Sequence, residues 1–272
     1  MSGIAKRWAV RNVAKATFYD ISTGKMLTYL ENLKSSGIEV SSETVYARGG
    51  DGNPKLVGFS SDKEVKANLS SAIFDNRAMA LLTGNSIIEG VTDVYKREVV
   101  VVGETNEADL VGTPKDGKLL ALYILGADGV EDTELKAAET VAAGKYKLTT
   151  KKITVHTDIT AGTKLVAYYM LATTATAQTI TVSANAFPAA FKLVMEVLVT
   201  DFYTKKLYPA QIIVPSAKME DNWALSFEPT GDPQALDLPI EILKPADSDD
   251  MFTMTIYEEP TASEEVVEDE TV

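Results

Sequence analysis

The strongest constraint on this chain is a period-two alternation of apolar side chains that recurs, broken by turn residues, through its C-terminal third. Leu236, Leu238, Ile240 and Ile242 alternate with Asp237, Pro239 and Glu241. A period of two puts such a row on one face of a pleated strand. Phe191 to Thr200 (FKLVMEVLVT) holds no turn residue and reads as a strand. Asp201 to Leu207 reads as a turn with Tyr203-Thr-Lys-Lys at its tip, and Gln211 to Val214 as a short buried strand closed by Pro215. Trp223, Leu225 and Phe227 fall on one face of a further strand. Pro229-Thr-Gly-Asp-Pro is a turn by its chemistry, since Gly tolerates positive φ and Pro pre-sets its own. Met251 to Tyr257 makes a last strand. Such an antiparallel meander builds a β-sandwich or barrel.

Upstream, residues 1–15 form an arm that mixes Lys6, Arg7, Arg11 and Lys15 with Ile4, Trp8, Ala9 and Val13. It reads either as a frayed terminus or as a segment that orders against a neighbouring subunit, an option that Trp8 favours. Residues 16–21 read as a strand and Ser22-Thr-Gly-Lys as a turn. Met26, Leu27, Leu30 and Leu33 stand at helical spacing, so residues 25–34 fit a short helix, with a strand as the alternative. A hairpin follows, from Thr44–Ala47 to Lys55–Phe59. Between them, Arg48-Gly-Gly-Asp-Gly-Asn-Pro holds three glycines and a proline in seven residues, which makes it a loop tip. Asp62 to Leu69 alternates again. Ser70 or Ser71 then caps a helix that runs to about Thr83 and stops at Gly84, with Phe74, Ala78, Leu81 and Leu82 as its apolar stripe. Residues 87–94 and 97–103 read as two strands. From 104 to 185 short strands recur about every ten residues, the mark of a small all-β unit.

The chemistry of the chain is narrow. There is no Cys, so disulfides, thiolate nucleophiles and Cys-based metal sites are excluded. Gly112 to Lys118 has phosphate-loop spacing, but Leu119 stands where Ser or Thr would bind magnesium, and a strand follows where a helix is required. His156 is the only histidine, which leaves no His cluster for a metal and no triad. Asp247-Ser-Asp-Asp lacks the Gly and downstream Glu of an EF-hand loop. We therefore expect no enzyme, no catalytic, metal or cofactor residues and no cofactor. No apolar run approaches ~18 residues, so no membrane helix is expected, and MSGIAKRWAVRNVAK lacks the apolar core of a secretory signal. The formal charge is −13, of which seven acidic residues from Glu258 to Glu270 carry more than half. That balance is ill-suited to gripping phosphates. The tail, residues 259–272, reads as an acidic solvating segment.

Several stretches carry a resemblance. FPAAFKLVMEVLVTDFYTKKLYPAQIIVPSAKMEDNWALSFEPTGDPQALDLPIEILKP resembles the C-terminal half of a bacteriophage tail tube (major tail) protein, most specifically at Ile213-Val-Pro-Ser-Ala-Lys and Phe227-Glu-Pro-Thr-Gly-Asp-Pro-Gln-Ala-Leu-Asp. Thr44-Val-Tyr-Ala-Arg-Gly-Gly-Asp-Gly-Asn-Pro-Lys-Leu-Val-Gly-Phe is similar to the same family. The resemblance implies a mostly β, antiparallel β-sandwich/barrel tail-tube fold with one flanking α-helix. Residues 1–103 and 186–258 would be that core, and 104–185 an inserted small β subdomain. It further implies a structural virion protein made in the bacterial host cytoplasm and resident in the virion tail. As a homo-oligomer it would form hexameric rings stacked into a hollow tube. Its partners would be other tail proteins such as sheath, tape measure or terminator. Double-stranded DNA would pass through at ejection without specific binding, and no membrane is involved. Contacts between subunits or rings would fall on Trp8, Arg11, Arg48, Gly49, Gly50, Asp51 and Asn53. A capsid decoration protein or an adhesive β-module is the alternative; a tube protein polymerises by itself or on an initiator, whereas a decoration protein needs a capsid.

Overall fold

The computed structural model describes residues 5–173, 177–227, 229 and 234–258. The acidic tail 259–272 and most of the expected turn at 229–233 lie outside these residues. In chain order the first strands are β1 (Trp8–Val10), β2 (Lys15–Asp20), β3 (Met26–Leu30), β4 (Leu33–Arg48) and β5 (Lys55–Ser71), followed by the helix α1 (Asn76–Thr83). The middle of the chain holds β6 (Ile88–Glu89), β7 (Asp93–Val101), β8 (Glu107–Asp109), β9 (Ala121–Leu125), β10 (Glu131–Ala137), β11 (Lys145–Thr149), β12 (Lys152–Val155), β13 (Lys164–Ala172) and β14 (Gln178–Thr179). The last strands are β15 (Phe191–Asp201), β16 (Leu207–Met219), β17 (Leu236–Ile242) and β18 (Thr253–Ile256). The protein is mostly β, with one α-helix among the described residues, as its alternation requires.

Two compact units divide the chain: residues 5–87 with 180–258, and residues 88–179. The sequence placed these boundaries at 104 and 185. The first unit ends earlier because β7 pairs with β13 along nine residues and so belongs to the second unit. Residues 180–185 return to the first unit, where the Asn85 side-chain amide donates to the Thr181 carbonyl (2.9 Å).

The first unit is a nine-stranded sheet in the order β3-β2-β15-β16-β17-β5-β4, with β1 added to β15 and β18 to β16. Its two end strands, β3 and β4, are consecutive in the chain, so the sheet curls towards a barrel. The alternating residues point inward: Leu236, Leu238, Ile240 and Ile242 are all buried, as are Phe191, Leu193 and Met195 on β15 and Val65, Ala67 and Leu69 on β5. Phe18 and Phe191 meet edge to face at 5.2 Å in the middle of this core. Each Val, Leu, Ile, Met or Phe side chain among them, fully buried, contributes about 1.5–3 kcal/mol. α1 adds Ala78, Met79 and Leu82 to the same core.

Five local expectations are corrected. Residues 26–30 are a strand, not a helix: Thr28 and Leu30 are buried in alternation and pair with β2. The helix is capped by Asp75, whose carboxylate accepts from the Arg77 N–H (2.7 Å), whereas Ser70 and Ser71 end β5 and the Ser71 hydroxyl donates to the Ile73 carbonyl (2.8 Å). β16 is thirteen residues long, not four, because a bulge opposite Lys192 absorbs Pro215 and Ser216 and the ladder resumes beyond them. Of the strands expected at 87–94 and 97–103, the first keeps only the two-residue β6, and β7 begins at Asp93 and runs unbroken to Val101, there being no turn residue inside it. Trp223, Leu225 and Phe227 form no strand. Pairing stops where the Glu220 N–H reaches the Pro239 carbonyl (2.8 Å), Trp223 packs against the core, and Phe227 is 82% exposed.

The same turn closes two of the hairpins. Asp20 in Asp-Ile-Ser-Thr-Gly-Lys and Asp201 in Asp-Phe-Tyr-Thr-Lys-Lys each accept from the backbone N–H and the hydroxyl of the threonine three residues on. Each bonds through its own N–H to the lysine carbonyl five residues on (2.9 Å in both). Gly24 and Lys205 occupy the equivalent left-handed position, with φ of 68° and 60°.

The second unit is a seven-stranded sheet in the order β7-β13-β9-β10-β11-β12-β8, antiparallel except for β10 with β11. Its core holds Leu122, Leu135, Ile153, Leu165 and Tyr169. The Tyr169 hydroxyl donates to Glu98 (2.6 Å), which also accepts from the Val111 N–H (2.7 Å). Burial raises the Glu98 pKa, but these bonds and Lys96 outweigh it and hold it below the ordinary value. On the outside, Glu131 accepts from the Tyr168 hydroxyl (2.6 Å) and from Arg97 (3.1 Å). The Tyr168 bond above all lowers its pKa to about 2.

Two predictions follow from these packings. Gly84 ends α1 at φ 68°, and a Cβ there would lie 2.4 Å from the Phe187 carbonyl oxygen, so Gly84→Ala is expected to destabilise the first unit by at least about 1 kcal/mol in denaturant unfolding. Because the Glu131 pKa is depressed when folded, its stabilising contribution is present above its ordinary 4.5 and is lost as pH falls towards 2. Tyr168→Phe is expected to move the Glu131 carboxyl titration, followed by NMR, back up towards 4.5.

Candidate functional site

β4 and β5 pair along their whole length, but only the start of β4 and the end of β5 belong to the barrel. Val65, Ala67 and Leu69 are buried, whereas every residue from Glu39 to Glu64 except Gly49 is exposed. The change comes at a bulge. Ser41 faces Glu64 and Glu43 faces Ser61, which leaves Asp62 and Lys63 opposite Ser42. Asp62 takes the left-handed conformation at φ 48°, and its carboxylate accepts from the Ser61 hydroxyl (3.0 Å). A bulge of this kind bends a strand and increases its twist. Beyond it runs a two-stranded ribbon with no sheet beneath it.

The ribbon is apolar for a solvent-exposed element. Cross-strand partners share a face, so Val45 with Phe59 and Ala47 with Val57 form one side. Tyr46 with Gly58 and Thr44 with Ser60 form the other. Val45 and Phe59 are each 61% exposed and Leu56 63%. Tyr46 lies across Gly58, where a Cβ would come within 3.1 Å of its ring, and the Lys55 ammonium sits 3.9 Å from the ring centroid. The tip is a tight turn: the Asn53 N–H donates to the Gly50 carbonyl (3.0 Å), and Gly50, Gly52 and Asn53 all have positive φ.

A second apolar surface lies beside the root of the ribbon. Trp8, Val10 and Ala14 of the arm, Gly37 and Ile38 of β4, Met195 and Val197 of β15, Ile212 of β16 and Met254 of β18 line a groove of about 220 Å³. It lies where the apolar face of β15 and β16, buried in the barrel at Met195 and Val214 and again beside Ala5 at Val199 and Ala210, is only half-covered in between, at Val197 and Ile212. The arm is held there by its own chain. β1 pairs with Val199–Asp201, the Phe202 N–H donates to the Arg7 carbonyl (2.7 Å), and the Arg7 guanidinium donates to the Tyr203 hydroxyl (3.2 Å).

The residues singled out in the sequence thus fall in two places. Trp8 lies in the groove, with Arg11 exposed just beyond it. Arg48 ends β4 opposite Lys55, and Gly49, Gly50, Asp51 and Asn53 form the tip turn. The fold does not gather them: the tip stands ten residues of strand beyond Ile38, ~33 Å at strand rise. The sequence expectations do not include the ribbon's apolar side chains or the bulge at Asp62. Their signal was present in the alternation of Thr44 to Ala47 and Lys55 to Phe59, which carries apolar residues on both faces.

The other motifs resolve as local structure. Gly112 to Lys118 leads through a 3-10 turn (Lys115–Gly117) into β9, not into a helix, and Lys115 pairs with Asp93. The His156 ring contacts Asp158 at 2.8 Å on the surface. Among the described residues no three His, Cys, Asp or Glu side chains cluster as metal ligands, and no helix is long and apolar enough to cross a membrane.

A mostly β chain whose conspicuous surfaces are an uncovered apolar ribbon and an uncovered apolar groove has the makings of an assembly protein. Residues 8–256 match the model of the YomU/Tube protein family, and the chain belongs to that family. It is a structural, tube-type protein of bacteriophage origin. No curated protein matches it.

Left-handed backbone costs a β-branched residue about 1–2 kcal/mol, so Asp62→Val is expected to accelerate amide hydrogen exchange across residues 55–64, whereas Asp62→Gly leaves it unchanged.

Proposed function

We propose that the protein is the tail tube subunit of a bacteriophage, assembling into hexameric rings that stack into the hollow conduit for DNA at ejection. The observation that carries this reading is the ribbon. Two isolated strands are at best marginally stable in water, and a ribbon this long with Val45, Leu56, Val57 and Phe59 exposed calls for a protein surface to cover it. A second copy of the chain supplies one. Because ribbon and receiving surface are different patches, the contact is heterologous, and it propagates or closes a ring according to its rotation. Membership of a tube family supports the same reading. The net charge of −13 suits a wall along which DNA slides without sticking. The tip residues Arg48, Gly49, Gly50, Asp51 and Asn53 would reach the next subunit or ring, and Trp8 and Arg11 would meet it from the arm. Sheath, tape measure and terminator proteins would be the further partners within the virion tail.

The test is negative-stain electron microscopy of the purified protein over a concentration series. Sixfold rings or hollow tubes are expected. Phe59→Ser combined with Val45→Ser is expected to abolish them while leaving the circular dichroism spectrum unchanged. Monomers throughout, with particles appearing only when capsids are added, would instead favour a decoration protein.

A further inference from the structure

The ribbon must be received somewhere, and the same chain carries a surface of matching chemistry. The groove beside the ribbon's root is lined mainly by Trp8, Val10, Ile38, Val197, Ile212 and Met254, and two of these, Trp8 and Val10, remain 42% and 46% exposed. It is a half-covered stretch of the barrel's own core face, between that core and the small buried cluster of Ala5, Val199, Tyr208 and Ala210. A sheet with one apolar face needs a second layer over it. One side of the ribbon, Val45, Ala47, Val57 and Phe59, is a strip of that kind without a layer of its own.

Charge points the same way. The arm that walls the groove carries Lys6, Arg7, Arg11 and Lys15 and no acidic residue, and Arg11 stands between the groove residues Val10 and Asn12. From Glu39 to Glu64 the ribbon carries five acidic residues against three basic ones, and Glu43 lies on the same side as Val45 and Phe59. We infer that the Val45–Phe59 side of one copy's ribbon seats in the Trp8–Val10 groove of a second copy, with Glu43 turned to the basic arm. The inference rests on the proposed tube function and names the receiving site of its subunit contact. The donor strip and the groove occupy different parts of one subunit, so every copy both gives a ribbon and receives one. The arm gains a definite role: by pairing with β15 it builds one wall of the socket.

The absence of cysteine makes a clean test possible. Phe59→Cys and Val10→Cys are prepared separately, mixed under assembly conditions and oxidised, and each sample is also imaged. Cysteines bridge only when their Cβ atoms approach within roughly 4–5 Å. A disulfide-linked dimer, at twice the 29.4 kDa subunit mass, is expected from the mixture and from neither variant alone. It should exceed by about tenfold the yield from Phe59→Cys mixed with Ile73→Cys, since docking raises the local concentration of the correct partner alone. Ile73 is 57% exposed and lies outside the groove. Rings or tubes without the Phe59–Val10 bridge, or with equal bridging to position 73, overturn the groove and leave the tube reading standing. Monomers at every concentration with no bridge overturn both.

Discussion

The whole first unit hangs on the pairing of β15. Along its first half it is held between β2 and β16, and along its second between β1 and β16, so one eleven-residue strand ties together segments nearly two hundred residues apart. Its inward side chains, Phe191, Leu193, Met195 and Val199, are all buried, and Phe191 against Phe18 locks its start to β2. Register is fixed by that burial, because a slip of one residue would turn the row outward. Past the last pair with β2 the same apolar row meets the groove at Val197, before β1 and the arm cover it again at Val199. Core and candidate contact surface are therefore one sheet face, buried in the barrel, half-covered at Val197 and Ile212, and buried again where Ala5 of the arm lies with Val199 and Ala210.

The sequence was readable where a residue's signal is local. Alternation at Leu236 to Ile242 and at Phe191 to Thr200, the glycine stop at Gly84 and the glycine-rich tip at residues 49–53 all found their places. It was unreadable where the outcome depends on a distant partner. Met26, Leu27, Leu30 and Leu33 suit a helix in isolation, but the vacant edge of β2 makes Met26 to Leu30 a strand. Trp223, Leu225 and Phe227 alternate well but leave the sheet beyond Glu220. Pro215 looked like an end and proved to be a bulge. The candidate site shows the same division. Residues at the tip were legible from their turn chemistry, whereas the exposure of Val45 and Phe59 and the groove at Trp8 follow from where the barrel ends, which no local pattern encodes.

Exposed strands are dangerous to a soluble protein because their free edges and apolar faces recruit any similar surface. This chain directs that hazard. The bulge at Asp62 sets the ribbon off from the barrel, the glycine turn closes its tip, and acidic residues along it select against other acidic surfaces. If the chain self-associates as proposed, its tolerance for bare apolar surface is intelligible, since the stability of an assembling chain depends on its concentration.

The way the second unit is threaded into the chain has an entropic consequence. Its two ends leave side by side, at Ile88–Glu89 and Gln178–Thr179, which pair with each other as a short antiparallel neck. To the first unit, the whole of residues 88–179, neck included, is one hairpin loop. Lengthening a loop costs little, because closure entropy grows only with the logarithm of its length. The neck thus decouples the two lengths of chain: residues gained or lost beyond it change the closure cost only slightly and leave the pairing of the barrel strands untouched.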